Sequence, residues 1–98
     1  MPKFIIEREV SGAGNMTRSD KQNAAKTSNA AIKELDAQMY WVHSYITADK
    51  IYCVYIAPSK EIIRKHSELS GFPADRIEEV TALVDPTTED SNEKQRAA

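Results

Sequence analysis

The stretch that decides the fold is Tyr40-Trp41-Val42-His43-Ser44-Tyr45-Ile46, followed by Thr47-Ala48-Asp49-Lys50 and then by Ile51-Tyr52-Cys53-Val54-Tyr55-Ile56-Ala57. Both outer segments are dense in aromatic and β-branched residues, which favour strands, and the middle is polar, as a turn requires. The pattern therefore predicts a β-hairpin. This hairpin holds the only tryptophan, the only cysteine and one of the two histidines of the chain.

Strand and helix signals precede this hairpin. Residues 3–10 mix apolar and charged side chains over the length of a strand and stop at the glycine-containing loop 11–15. Residues 17–36 place apolar and small side chains at helical spacing, and we expect a helix there. Its cap is either Ser19, with Gln22 completing a capping box, or Thr17. The small residues of this helix favour close packing onto a sheet.

A second helix and a last strand follow the hairpin. The helix opens after Ser59, which can cap it, and ends at Gly71, since a glycine followed by Phe72-Pro73 stops a helix in the usual way. Residues 77–84 alternate enough for a strand. We expect the inner stripe of the helix to contain Ile62, Ile63, His66 and Leu69.

The resulting order, β-α-β-β-α-β, predicts an α+β fold. It is the order of the ferredoxin-like plait, a four-stranded antiparallel sheet with two helices on one face. We expect this domain to span residues 1–86, and residues 87–98 to form a polar, disordered tail. No helix remains to cover the second face of the sheet, so an apolar second face predicts a homodimer.

Composition excludes several classes of function. The 98 residues suffice for one domain, and a net charge of −2 without a basic stripe argues against nucleic acid as a partner. No apolar run approaches the ~20 residues of a membrane span. One cysteine cannot form an internal disulfide, and the first residues become charged too soon for a signal peptide. We therefore expect a cytoplasmic protein.

The register of the hairpin predicts which side chains share a face. A two-residue turn at Ala48-Asp49 pairs Ile46 with Ile51 and continues outward in step. Aliphatic and small side chains then suit packing beneath the helices, whereas the amphipathic aromatic set suits a dimer interface or a ligand cleft. The expected open-face set is Trp41, His43 and Tyr45 with Tyr52, Val54 and Ile56. The expected covered set is Val42, Ser44 and Ile46 with Ile51, Cys53 and Tyr55.

Several side chains are candidates for chemistry. Ligand-binding candidates are Trp41, His43, Tyr45, Tyr52 and Tyr55, and metal-binding candidates are His66, His43 and Glu7. For each histidine a structural role as a hydrogen-bonded residue is favoured over these functional roles, and Cys53 is more typical of a core than of a nucleophile. Either Glu7 or Arg8 must point inward, which requires a buried salt bridge or a site. His43 and His66 are expected on opposite faces, so nickel or zinc should bind weakly.

Several segments together resemble a family of small proteins of unknown function that are often described as nickel-binding or nickel-responsive. The resemblance covers about residues 3–88 and implies a ferredoxin-like fold and a homodimer. Its nickel-binding members carry adjacent histidines on the first strand, where this chain has Ile6-Glu7-Arg8-Glu9, and His66 matches a shared histidine. The segments that carry the resemblance are Trp41-Val42-His43-Ser44-Tyr45, Asp49-Lys50, residues 52–58, His66, Gly71-Phe72-Pro73-Ala74 and Asp85-Pro86-Thr87.

Two classes of function follow from these observations. The first is a homodimeric binding protein that holds a small ligand, or nickel or another divalent metal, in an aromatic-lined cleft. The alternative is a small cofactor-free monooxygenase-like or isomerase-like enzyme of the dimeric α+β barrel type, an analogy that rests on fold. A deep cavity containing His66 or Tyr55 would favour the enzyme, and a tight, dry core would favour a protein without a ligand.

Overall fold

The computed structural model describes residues 1–36 and 38–90. In it the chain forms four antiparallel strands and two helices. The sheet has the order β2-β3-β1-β4, and both helices cover one of its faces, which confirms the ferredoxin-like plait. Neither helix is both long and apolar enough to cross a membrane, as far as the described residues go. The elements are β1 (Lys3–Glu9), α1 (Arg18–Glu34), β2 (Tyr40–Ile46), β3 (Lys50–Ile56), α2 (Lys60–Ser70) and β4 (Arg76–Glu79), with 3-10 turns at Ala13–Asn15 and Pro86–Glu89.

The first helix is capped by Thr17. Its side chain accepts a hydrogen bond from the backbone of Asp20 at 3.1 Å, and the carboxylate of Asp20 accepts one from the backbone of Thr17 at 2.9 Å. This reciprocal pair satisfies two of the donors that a helix start leaves open. The prediction of Ser19 with Gln22 as the capping box was therefore wrong, and the alternative cap was right.

The second helix ends where the sequence predicts but buries a different stripe. Gly71 ends it with φ of 78°, a left-handed conformation that glycine adopts without a steric cost. Ile63 and His66 are buried as expected. Leu69, however, is 52% exposed. Ser67 is buried in its place because the helix turns that side of its last turn toward Arg8.

The last strand is shorter than its sequence pattern suggests. It ends at Glu79, and the backbone N–H of Val80 donates to Lys3 at 2.8 Å as the final contact with β1. Leu83 and Val84 are then 69% and 75% exposed, so the expected strand over 77–84 was wrong in its second half. Of the expected tail at 87–98, residues 91–98 lie outside the described residues.

The hairpin contains a β-bulge at Val42. Pairing runs as predicted from Ile46 opposite Ile51 to His43 opposite Val54, but Trp41 lies opposite Tyr55. An extra residue in one strand shifts every side chain beyond it to the other face. Trp41 therefore lies on the helix-covered face, and its predicted place beside His43 on the open face was wrong.

Arg8, and not Glu7, is the inward-pointing charge of β1. Phe4, Ile6 and Arg8 are buried, whereas Glu7 lies on the open face near Lys50, with 3.7 Å between carboxylate and ammonium. β1 is a central strand, so its inner side chains have no route to solvent along the sheet. The apolar core lies around Phe4 and Ile6 beneath the helices. Its buried members are Phe4, Ile6, Met39, Cys53, Tyr55, Ala57 and Ile63.

Candidate functional site

A cavity of about 380 Å³ lies between α1 and the sheet. Ala24 and Ala25 of α1 form part of its wall. Larger side chains at these positions would fill the space, whereas the two methyl groups leave it open. The small residues of α1 therefore line a cavity, although the sequence favoured close packing onto the sheet. The volume lies in the range of small-molecule sites, which are typically 300–1,000 Å³. The cavity is lined by Arg8, Val10, Met16, Lys21, Ala24, Ala25, Ser28, Trp41, Ser44, Ile46, Ile51, Cys53, Tyr55, Phe72 and Pro73.

Arg8 is the buried charge in the wall of this cavity. Arg8 is 2% exposed, and its guanidinium donates hydrogen bonds to three neighbours. Nη1 donates to the carbonyl of Pro73 at 2.7 Å and to the hydroxyl of Ser67 at 3.2 Å, and Nε donates to the sulfur of Cys53 at 3.3 Å. The ring of Phe72 lies 5.6 Å from the guanidinium carbon. These contacts fix the orientation of the group without neutralising it.

A short hydrogen-bond chain joins Trp41 to Arg8 along the floor of the cavity. The indole Nε1 donates to the hydroxyl of Ser44 at 3.0 Å, and this hydroxyl donates to the sulfur of Cys53 at 3.1 Å. The chain exists because the bulge brings Trp41 to this face. Cys53 is buried and unbridged, and it acts here as a weak acceptor for two donors.

A second polar cluster lies between α1, α2 and β3. The hydroxyl of Ser28 lies 3.2 Å from the Tyr55 hydroxyl and 3.1 Å from Nε2 of His66, and this nitrogen is also 3.3 Å from the Ser28 carbonyl. A carbonyl only accepts, so Nε2 carries the ring proton in that contact. Tyr55 and Ser28 belong to the cavity wall, whereas His66 packs behind Tyr55 with ring centroids 4.9 Å apart.

Burial shifts the titration of both rings in this cluster. Burial lowers the pKa of His66, and the positive charge of Arg8 lowers it further. Burial likewise raises the pKa of the Tyr55 phenol. His66 is therefore a neutral imidazole and Tyr55 a protonated phenol near neutral pH, so the cluster contributes hydrogen bonds and no charge.

The predicted site residues are divided between the two faces of the sheet. Trp41 and Tyr55 line the cavity, whereas Tyr45 and Tyr52 pair across the open face. His43 is also on the open face, where its ring meets Tyr45 edge-on at 4.8 Å. The predicted ligand-binding set of Trp41, His43, Tyr45, Tyr52 and Tyr55 is thus not brought together in one cleft.

The predicted metal ligands are also separated. His66 is buried beneath the helices, His43 lies on the open face, and Glu7 is near Lys50 on that same open face. Among residues 1–36 and 38–90, no three side chains of histidine, cysteine, aspartate or glutamate form a group that could hold a metal ion. The donor set of the described chain does not fit a nickel centre within one subunit.

Sequence reasoning left open the residue that dominates the cavity, Arg8. A signal for it was present in the alternation of β1. Lys3, Glu7 and Glu9 share one side, whereas Phe4 and Ile6 share the other side with Arg8. The more charged side faces solvent, so this count favours an inward Arg8. Ser28 and Ser44 carried no comparable signal.

A family model identifies the class of protein to which this plait belongs. Residues 4–80 match the family model described as "Nickel responsive protein SCO4226-like", and the chain belongs to this family, which confirms the resemblance seen in the sequence. The crystal structure of SCO4226 from Streptomyces coelicolor A3(2) is similar, with a TM-score of 0.71 and 24% sequence identity over 84% of this chain and 99% of that one. This likeness supports the fold. A search among curated proteins finds no match.

Proposed function

We propose that the protein is a homodimeric binding protein that holds a small, largely apolar molecule in the cavity between its helices and its sheet. The observation that carries the proposal is the cavity of about 380 Å³, with Trp41, Phe72 and Met16 among its walls. A tight core would stabilise the domain more, because each unfilled volume forfeits packing contacts. The space is therefore a cost that a bound ligand would offset. The proposal places this protein in the cytoplasm, where its unpaired Cys53 stays reduced.

The homodimer is supported by the open face of the sheet. Tyr40 and Tyr45 of β2 are 62% and 59% exposed, and Ile5 of β1 is 40% exposed. Exposed aromatic and apolar side chains on a sheet face that no helix covers are typical of an interface. A stable pairing would bury on the order of 1,200 Å² in total.

An enzyme is the second candidate function, and the Tyr55 hydroxyl favours it. Tyr55 belongs to the cavity wall, and its hydroxyl is joined through Ser28 to the neutral His66, an arrangement that can move a proton to or from a bound molecule. A binding protein releases its ligand unchanged, whereas an enzyme converts it into a product. Native mass spectrometry of tag-free protein reports the subunit count together with any bound molecule. A ligand recovered unchanged after prolonged incubation supports the binding protein.

We expect the cavity to take up N-phenyl-1-naphthylamine, a neutral dye that fluoresces in apolar surroundings. Fluorescence titration of the natural chain should saturate at one dye per subunit. Ala25→Leu should lower the affinity for the dye by at least about tenfold, because the added carbons occupy the cavity. Energy transfer from Trp41, which lines the cavity, should report the same site.

Ala30→Leu is the matched control for this experiment. It adds the same group to the same helix at an exposed position, and it should leave the dye affinity unchanged. Absence of saturable dye binding to the natural chain would refute the cavity as a ligand site. Equal weakening by both substitutions would place the dye on the surface of α1.

Nickel is expected to bind weakly, with a dissociation constant worse than about micromolar. The two imidazoles of the chain lie on opposite faces of the sheet, so they cannot share one ion within a subunit. Titration calorimetry with tag-free protein measures this affinity. Tight stoichiometric binding that is lost in both His43→Ala and His66→Ala would contradict the expectation and would show that both faces contribute to one centre.

A further inference from the structure

We propose that the molecule held in this cavity is an organic anion, a monocarboxylate with an apolar body, and that Arg8 is the residue that binds its carboxylate. The inference rests on the proposed function, since it names the ligand class of the same cavity. It is carried by a buried positive charge that lacks a negative partner, and by the chemistry of the surrounding wall.

Arg8 is a buried cation without a counter-ion in the described chain. Its guanidinium keeps its charge in proteins, and taking such a charge out of water is costly unless it is paired. The nearby carboxylates of β1 are on the far side: Glu7 and Glu9 both approach Lys50 on the open face. No carboxylate among residues 1–36 and 38–90 forms an ion pair with Arg8.

One nitrogen of Arg8 lacks the hydrogen-bond partner that an anion would supply. Nη1 and Nε are engaged by Pro73, Ser67 and Cys53, but the buried Nη2 has no hydrogen-bond partner. Guanidinium N–H groups form their strongest hydrogen bonds with carboxylate and phosphate oxygens. The three engaged contacts hold the group in place, so an incoming anion meets an oriented donor.

The rest of the wall selects a single charge on an apolar body. Besides Arg8, the one charged side chain of the wall is Lys21, which is exposed, and no acidic side chain belongs to the wall. Both charged side chains of the wall are therefore basic. A phosphate dianion would need a second buried cation, whereas a monocarboxylate matches one guanidinium. Trp41, Phe72 and Ile46 then require the remainder of the ligand to be apolar.

A matched pair of probes tests this inference in the natural chain. 4-Phenylbutanoate and 4-phenylbutanol share an apolar body and differ in the charged end, and each is titrated by displacement of N-phenyl-1-naphthylamine. We expect the carboxylate to bind at least about tenfold more tightly than the alcohol, as one charge-assisted hydrogen bond in a buried site requires. Phenylphosphonate at a pH where it is a dianion should displace the dye less well than the carboxylate.

Variants then assign this preference to Arg8. Arg8→Met should reduce the preference for the carboxylate over the alcohol to about twofold or less, and it should still bind the dye. Arg64→Met makes the same charge change at an exposed position of α2 and should preserve the preference. Arg8→Lys keeps the charge and should retain a preference for the carboxylate. It provides a second test if Arg8→Met does not fold. Equal binding of both probes by the natural chain, or a preference that survives Arg8→Met, overturns the inference. Failure of the dye itself to bind overturns the proposed function instead.

Discussion

Tyr45→Glu is expected to leave the fold intact and to convert the proposed dimer into a monomer. Tyr45 is 59% exposed in the single chain and lies on the open face across from Tyr52. If this face pairs with a second copy, the substitution places an unpaired carboxylate in a desolvated interface, which costs several kcal/mol. The dissociation constant of the dimer should rise by at least about a hundredfold. Sedimentation velocity over a range of micromolar concentrations measures the change.

Leu69→Glu provides the matched control for the dimer. It also introduces a carboxylate at an exposed apolar position, 52% exposed, but on α2, away from the open face. This variant should remain a dimer. A monomer in the natural chain at micromolar concentration would refute the homodimer, and dissociation by Leu69→Glu with Tyr45→Glu unaffected would move the interface to the helical side.

The elements of the fold were predictable because each leaves a local pattern. Alternation marks β1, the aromatic and β-branched hairpin marks β2 and β3, and Gly71 with its following proline marks the end of α2. The extent of β4 was not predictable in this way. Residues 80–84 keep a strand-like composition but have no neighbouring strand to pair with beyond Lys3.

The position of Trp41 could not be predicted from the hairpin sequence. A bulge changes the face of every residue beyond it, yet Val42 is as good a strand residue as its neighbours and carries no glycine signal. The consequence is large for the site, because Trp41 moves from the open face to the cavity. Its indole N–H then donates to the Ser44 hydroxyl, a contact that no local sequence pattern predicts.

The cavity depends on how far α1 stands from the sheet, and this is a tertiary property. Ala24 and Ala25 are equally compatible with close packing and with an open space. Arg8 was within reach of sequence reasoning through strand alternation, but the absence of a partner for its Nη2 is visible only when all elements are in place. Sequence thus defined candidate residues, and the relative placement of helix and sheet decides which of them share a site.

Acidification is expected to destabilise this protein through His66. Burial lowers the pKa of this imidazole from its ordinary value of 6.5, with the charge of Arg8 acting in the same direction. Its Nε2 already donates to Ser28, and a proton added to the buried Nδ1 would create an N–H without an acceptor. Below about pH 6.5 the unfolded chain therefore binds a proton that the folded chain refuses. Stability is complete above that pH and is lost as pH falls toward the lowered pKa.

Urea unfolding at several pH values between about 7.5 and about 5 measures this loss. The free energy of unfolding should fall with decreasing pH, with a slope of at most about 1.4 kcal/mol per pH unit for one proton. The lowered pKa of Asp20, held down by its bonds to Thr17, acts below its ordinary value of 3.8 and stays outside this range. His66→Gln should flatten the slope, because it removes the buried imidazole. An unchanged slope in His66→Gln would assign the proton uptake to another group and would mean that the pocket behind Tyr55 accommodates a charged imidazole.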